Sequence, residues 1–326
     1  MSDIKPLVSI LMAVYEPNLD WFREQLLSLN SQTYPQIHLY IIDDCSPTVS
    51  FKDINNIVTE CVNKFQFTIL RNGSNMGSNR TFEALTKLAE GQYFAYCDQD
   101  DIWLPNKLSV LYNAIVTSGA LLVCSDMYVI DANGKVKANT ITNIRRHHIF
   151  HSGTNLLPRF LVSNFVTGCT MLINASIAKE SIPFCPYMVH DHYLAFYSSI
   201  KGPVLSLKDP LIYYRIHDKN QTLVMNGVTD KKSYYEKRIV VSIKKFQWLK
   251  DNINCNEINN CSYISRALSW GLARDDWFQK RDFASFYNLW KFRNIKLSET
   301  LFELVSLVLP NCIFKFLIWL YKRNVF

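Results

Sequence analysis

The chain has 326 residues, enough for one large domain or two smaller ones, and its 48% hydrophobic and 13% aromatic content excludes a disordered polymer. Its net charge of +7 sits in the last third: residues 231–326 hold 17 Lys/Arg against 8 Asp/Glu, a net of +9, while the other 18 against 20 leave residues 1–230 at −2. That distribution fits a near-neutral body with a basic tail facing an anionic partner, and no nucleic-acid partner is expected.

Leu7–Tyr15 reads as a buried strand, short and continuously apolar. Glu16-Pro17-Asn18 breaks it, and a helix is expected from about Leu19 with Asn18 as its cap. A second strand, His38–Ile42, runs into Asp43-Asp44-Cys45-Ser46-Pro47, and a helix over about Phe51–Lys64 follows. Phe67–Leu70 is a third strand, leading to Arg71-Asn72-Gly73-Ser74-Asn75-Met76-Gly77 and a helix from about Ser78 to Ala89. A fourth strand, Tyr93–Tyr96, delivers Asp98-Gln99-Asp100-Asp101-Ile102-Trp103. Alternating strands and helices predict an α/β fold with a mostly parallel central sheet and helices on both faces. In such sheets ligands bind beyond the carboxyl ends of the strands, where all four strand ends here gather polar or Gly residues.

Three carboxylates within four residues make 98–101 a candidate metal–diphosphate site, because hard divalent cations take oxygen ligands. An acidic surface turn has the same composition, so the stretch alone does not decide. Neither a G-x-G-x-x-G nor a P-loop glycine pattern occurs, so a nucleotide would be held by carboxylates and a metal instead of a glycine cradle.

Further on, Leu121–Asp126 and Met127–Ile130 are strand-like, and Thr167–Ile173 is another strand. The polar stretch 141–157, with Arg145, Arg146, His147, His148 and His151, reads as a mobile loop. Asp191 stands at a helix start, and Val204–Leu207 and Leu211–Arg215 read as edge strands. After about Val228 the pattern turns helical and interleaves cations with aromatics. The last segments, Leu301–Leu309 and Cys312–Tyr321, are broken by Glu303, Ser306, Pro310 and Lys315, so interfacial helices fit better than a spanning one. Trp319, Tyr321, Lys322 and Arg323 would then lie at headgroup level. The same helices could instead pack on the body.

Nine cysteines without a Cys-x-x-Cys pair suggest free thiols in a reducing compartment, and the N-terminal apolar run is too short for a signal peptide. A cytoplasmic protein, peripheral on the inner face of the cell membrane, is expected. The domain division expected is a catalytic domain over 1–228 and a basic, aromatic-rich helical region over 229–326.

Val8-Ser9-Ile10, Ala13-Val14-Tyr15, Ile41-Ile42-Asp43-Asp44-Cys45-Ser46, Asn75-Met76-Gly77 with Asn79-Arg80, and Asp98-Gln99-Asp100-Asp101 occur in one order and spacing. That set resembles the inverting family 2 glycosyltransferases of GT-A fold, strongly over residues 6–105 and more weakly through His190-Asp191 and Tyr214-Arg215-Ile216-His217. The Asp-Gln-Asp-Asp-Ile-Trp, His-Asp-His and Tyr-Arg-x-His forms look most like the rhamnosyltransferase-type branch of bacterial surface-polysaccharide synthesis. Cys45 departs from the family's usual Gly.

The resemblance implies a nucleotide-sugar site made of Ala13, Tyr15, Asp44, Asn75, Gly77, Arg80, Asp98, Gln99 and Asp101. In it Asp44 would accept the N3–H of uracil or thymine, Tyr15 would stack near the base, and Arg80 would lie near the diphosphate. Asp43 would brace its turn, and Asp98 and Asp101 would orient the ribose or sugar. Asp100 would ligate Mn²⁺ or Mg²⁺, with His217 completing the metal shell or touching a phosphate. Asp191 would be the general base, although a capping Asp is the ordinary reading of that position. The expected activity is metal-dependent, inverting transfer, with rhamnose from dTDP-rhamnose as the first donor, onto a lipid-linked glycan in O-antigen or capsule synthesis. A UDP-hexose or UDP-HexNAc transferase, a nucleotidyltransferase and an inactive glycan-binding subunit are the alternatives, and a homodimer is left open.

Overall fold

The computed structural model describes residues 5–145, 148–217, 225, 227–254 and 258–323. The chain forms two compact units, one from residues 1–156, 164–184 and 189–218, the other from 157–163, 185–188 and 219–326.

The first unit opens with three strand–helix pairs: β1 (Val8–Val14) and α1 (Leu19–Asn30), β2 (Ile37–Asp43) and α2 (Phe51–Cys61), β3 (Gln66–Arg71) and α3 (Ser78–Leu88). Then come β4 (Tyr93–Cys97), the two-residue β5 (Ile102–Trp103), α4 (Lys107–Ser118), β6 (Leu122–Ile130) and β7 (Val136–Ala138). α5 (Leu157–Val162) belongs to the second unit. The first resumes with β8 (Met171–Asn174), α6 (Ala175–Glu180), α7 (His190–Lys201) and β9 (Val204–Arg215). The Asn18 side chain accepts the amides of Asp20 and Trp21, so the predicted cap starts α1.

Among the described residues the strands make one sheet in the order β3-β2-β1-β4-β8-β6-β9-β5, with β7 on β6. The first four pair in parallel, as their helical crossovers require. β8 then runs antiparallel to both β4 and β6. β1 is almost wholly buried, which is why it reads as an unbroken apolar run. The connection from β1 leads to β2 on one side, and β4 returns to β1 on the other. The sheet therefore has a topological switch point between β1 and β4, and the crevice beyond their carboxyl ends is where such sheets bind ligands.

Three local expectations are corrected. Thr167–Ile173 is a strand only from Met171, because Gly168–Thr170 forms a 3₁₀ turn whose Gly168 amide goes to the Asp191 carboxylate. The two expected edge strands at 204–207 and 211–215 are one strand, β9, and it is not an edge: β5 adds to it antiparallel at Ile102–Tyr213 and Trp103–Ile212. The stretch 141–157 is pinned at its far end, since Gly153 and Val204 exchange both backbone hydrogen bonds and Ser206 bonds Ser152 and the His151 carbonyl. Arg146 and His147 lie outside the described residues.

The second unit is helical: α8 (Lys231–Tyr234) passes through a π-helical turn, Tyr235–Val240, into α9 (Val241–Asn252). α10 (Ile258–Lys280), α11 (Phe283–Lys291), α12 (Leu297–Ser306) and α13 (Asn311–Lys322) follow. No described helix is long and apolar enough to cross a membrane. Its centre is polar. Arg274 is buried and pairs with the fully buried Glu303 at 2.6 Å and with Glu299 at 2.7 Å. The Tyr234 hydroxyl donates to Glu303, Trp277 donates to its carbonyl, and Trp270 donates to Thr300.

Removing one member of a buried ion pair strands the other charge. Arg274→Leu is therefore expected to destabilise the second unit by about 3 to 5 kcal/mol, with Arg274→Leu/Glu303→Leu recovering much of the loss. Denaturant unfolding of the three proteins checks this, and a double variant no better than the single would contradict it.

Candidate active site

The switch point is closed by a side chain. The Gln99 amide pairs with the backbone of Tyr15 in both directions, accepting its N–H at 2.9 Å and donating to its carbonyl at 3.1 Å. It fixes the end of β1 to the turn after β4. One residue earlier, the Val14 carbonyl accepts the Asp44 amide at 2.7 Å, so the ends of β1 and β2 are joined as well. Glu16 accepts the amides of Thr48 and Val49 and secures the same rim. Cys45 lies in the left-handed region at φ +61°. A residue without Cβ suits that conformation, which is the physical reason for a Gly preference there, and Cys occupies it at a modest cost.

Asp43 and Asp44 divide the work of the β2 end. Asp43 is fully buried; its Oδ1 accepts the Ser46 amide and hydroxyl, and its Oδ2 lies 3.2 Å from Arg71. It braces the turn. Asp44 Oδ1 accepts from Asn72 and from the Met76 amide, and Oδ2 accepts the Gly77 amide at 2.8 Å. The Asp44 carboxylate thus folds the 72–77 loop and keeps one acceptor position on Oδ2 for a further donor. Asn75 accepts the same Gly77 amide. Gly77, at φ +81°, begins α3 without a side-chain cap, and Arg80 stands exposed in the first turn.

The acidic turn is held by β9. The Arg215 amide donates to Asp101 Oδ1 at 2.9 Å, and Arg215 Nε donates to the Asp100 carbonyl at 2.8 Å. The same guanidinium pairs with Glu24 of α1 and packs over Trp21. Two residues on, His217 Nε2 lies 2.8 Å from Asp100 Oδ2, with both side chains partly exposed. Asp101 points the other way, into the core, where Cys169 and Lys107 meet it. Lys107 is fully buried, donates to the Cys169 carbonyl at 2.7 Å and lies over the Trp103 ring.

Burial, then the Asp100 charge, raises both Asp98 and Asp101 above the ordinary carboxylate range. Asp191 adds to the shift of Asp98, which puts the two carboxylates in one electrostatic neighbourhood. Desolvation lowers Lys107 to about 7 against the pull of the nearby acids. Asp191 lies in the first turn of α7, and its cap position is taken by Val189, so the ordinary capping role does not apply. Its Oδ1 accepts from Asn164 and the His192 amide, and its Oδ2 accepts the Gly168 amide at 3.0 Å. Burial raises Asp191 to about 6 against those donors. His190, beside it, stacks on Phe82 at 3.9 Å, and burial lowers it to about 3, so it is a neutral wall.

Two donor sets have the chemistry of a metal site. Asp98, Asp101 and Cys169 bring one ligand atom each within 4.8 Å of one another. Burial holds the Cys169 thiol protonated, and the Lys107 amine already lies against these acids, so this set suits a hard cation poorly. Asp100 and His217 converge at the open side of the same turn, and the crowding that raises Asp98 is what a cation would relieve.

The structure therefore places Asp98, Asp100, Asp101 and His217 in one cluster, with Asp191 within its field. Tyr15 and Gln99 join at the switch point beside it, with Ala13 two residues before Tyr15 in β1. Asp44, Asn75 and Gly77 form the neighbouring loop, which Arg80 follows. Sequence reasoning missed Lys107, Asn164, Gly168 and the part played by Arg215. Arg215 had a signal, since it sat in a singled-out motif; the others have none that a single chain reveals.

The profile of Glycosyl transferase family 2 matches residues 9–180. A curated relative from Escherichia coli, UDP-Glc:alpha-D-GlcNAc-diphosphoundecaprenol beta-1,3-glucosyltransferase WfaP, is 25% identical over 213 residues, 65% of this chain and 78% of that one. The chain spans less than half the length of the first two curated relatives it matches, 35% and 45%. Among solved structures, S. aureus TarS 1-349 in complex with UDP-GlcNAc is similar at a TM-score of 0.60 and 14% identity, covering 98% of this chain and 92% of that one. The Pyrobaculum calidifontis mannosyltransferase PcManGT, in complex with GDP-Man and Mn²⁺, is similar at 0.55 and 11% identity, covering 99% and 87%. At these identities the two structures establish the fold.

Gly168 has no room for a side chain: an added Cβ would lie 2.7 Å from His190 Nε2. Gly168→Ala is expected to cost about 1 to 3 kcal/mol through overpacking. A melting temperature equal to that of the unaltered chain would show that the contact yields freely.

Proposed function

The chain belongs to glycosyltransferase family 2, and from that premise we propose that it is a glycosyltransferase that moves a sugar from a nucleoside diphosphate to a glycan hydroxyl with inversion, using Asp191 as base. The observation that carries this reading is the pairing of a buried carboxylate raised to about 6 with an acidic turn at the sheet's switch point. A base of that strength is ionised at neutral pH yet still accepts a proton readily.

In the proposed step the acceptor oxygen attacks the anomeric carbon from the face opposite the leaving group. The glycosidic C–O bond breaks, its electron pair departs with the diphosphate, and the hydroxyl proton passes to Asp191 Oδ2, the oxygen carrying one donor instead of two. Asn164, Gly168 and His192 hold that carboxylate in place throughout. Asp98 orients the ribose or sugar, Asp101 supports it, and Asp44 takes the base N3–H on its open Oδ2 position. Tyr15, exposed at the rim, offers its ring to the base, and Arg80 faces the phosphates. Asp100 and His217 would hold Mn²⁺ or Mg²⁺, which when bound neutralises the phosphate charge that develops on the leaving group.

The donor is proposed to be dTDP-rhamnose, and the acceptor a lipid-linked glycan of O-antigen or capsule synthesis at the inner face of the cell membrane. A UDP-linked hexose is the second reading, favoured by the donors named for WfaP and TarS. Asp44 suits both, since uracil and thymine each carry N3–H. The proposed division of labour gives catalysis to residues 1–228 and membrane attachment to 229–326.

Asp100→Asn is expected to abolish metal-dependent donor binding in titration calorimetry with UDP or dTDP plus Mn²⁺; unchanged heats would remove Asp100 from the metal site. Asp191→Asn should keep donor binding and lower turnover by about 10²- to 10⁴-fold. Since the base works ionised, kcat of the unaltered enzyme should fall with an acidic limb near pH 6, and a profile flat down to pH 5 would refute the assignment. A thermal-shift comparison of dTDP-rhamnose, UDP-glucose and UDP-GlcNAc with Mn²⁺ separates the donors.

A further inference from the structure

α12 is turned inside out. Its buried side includes Thr300, Glu303 and Ser306, because the Arg274 network draws them inward. Leu297, Leu301 and Val305 are left exposed at a spacing of four, and Val308 continues the line, with Val305 58% exposed. An aqueous helix shows the opposite pattern. α13 buries apolar Phe314 and Ile318 in the ordinary way, but it too leaves large apolar side chains outside, Ile313, Phe316 and Trp319, Phe316 at 55%. Phe316 and Trp319 stack at 5.9 Å, and Arg323 covers Trp319 at 4.0 Å.

The charges on this stretch are sorted too. Between 297 and 323 the only acids are Glu299 and Glu303, and both are engaged by Arg274. The outward charges are Lys315 and Arg323, while the Lys322 ammonium donates to the Val228 carbonyl. Apolar side chains in the middle of the exposed arc, with cations and Trp at its border, match the boundary between acyl chains and anionic headgroups. A second copy of the chain would meet the same cations with cations, which disfavours self-association through this face.

We propose that the exposed faces of α12 and α13 dock on an anionic lipid bilayer, Leu301, Val305, Phe316 and Trp319 entering the acyl boundary and Lys315 and Arg323 pairing with headgroups. The proposal deepens the reading of the chain as an enzyme of lipid-linked acceptors, but it rests on residues of the second unit alone.

The test is sedimentation of the full chain with vesicles of phosphatidylcholine containing about 30% phosphatidylglycerol. Binding is expected, weaker on phosphatidylcholine alone. Val305→Ser/Phe316→Ser/Trp319→Ser should lower the bound fraction about tenfold or more. Val305→Glu, a single change at an exposed position that adds a charge the anionic surface repels, serves if the triple variant fails to fold, and should weaken binding in the same direction. Equal pelleting of wild type and folded variants would overturn the proposal. So would a wild-type dimer in sedimentation velocity that the substitutions convert to monomer. Donor thermal shifts on the same proteins keep the two readings apart: lost vesicle binding with normal donor binding supports the docking face, and absent donor binding with intact vesicle binding overturns only the nucleotide-sugar reading.

Discussion

The acidic turn exists because a buried cation holds it. Asp98, Asp100 and Asp101 repel one another, and two of them are desolvated enough to be raised above the ordinary carboxylate range. Arg215 offsets this from within the core. Its amide takes Asp101, its Nε takes the Asp100 carbonyl, and its guanidinium runs on to Glu24 and the carbonyls of Asp131 and Ala132. One side chain thereby ties the turn to β9, to α1 and to the loop after β6. The strand pairing of β5 with β9 completes the restraint, since the chain leaves the turn already bound to the strand that carries Arg215. His217 stands two residues beyond the end of that strand, so the residue that fixes the turn also brings His217 to Asp100.

The acids are then graded by what surrounds them. Asp101 faces inward, against Lys107 and Cys169, and can only support. Asp100 faces outward beside His217, where a cation and a phosphate would have access. Asp191 comes from a different element and is buried, but three donors keep it from rising further than about 6. The base role proposed for Asp191 needs that compromise: enough desolvation to gain basicity, enough hydrogen bonding to stay ionised at neutral pH. Gly168 is central to it, because its amide reaches Asp191 only where no Cβ intervenes between it and His190.

The parallel half of the sheet was legible in the sequence because β1, β2 and β4 are buried apolar runs ending in polar residues, with β3 a half-exposed edge beside them, and Asn18 marked its helix start plainly. Asp44, Asp98–Asp101 and Asp191 stood out as carboxylates at strand and helix ends. What could not be read was long-range. β5 has two residues and no periodicity, so its pairing with β9 is visible only in three dimensions, and with it the non-edge position of β9. Lys107 looks like an ordinary helix-start lysine, yet it is buried under the acidic turn. The 141–157 stretch is polar and reads as mobile, but its backbone is paired with β9 at Gly153.

The tail shows how periodicity can be right about a helix and misleading about its faces. Glu303 and Ser306 looked like interruptions of an apolar segment, which argued against a spanning helix. In the folded unit they are its interior, because Arg274 is buried on α10 and demands an acid opposite. A buried guanidinium without that partner would cost about 3 to 5 kcal/mol, of the same order as what the half-exposure of Leu297, Leu301, Val305 and Val308 gives up. The polar core thus decides which way α12 faces, and the exposed leucines and valines follow from it. An apolar surface produced in this way is stable in water only at a cost, and a boundary that takes up apolar side chains while welcoming cations removes that cost. The ion pair that orients α12 is, on this argument, also what makes the face available to a bilayer.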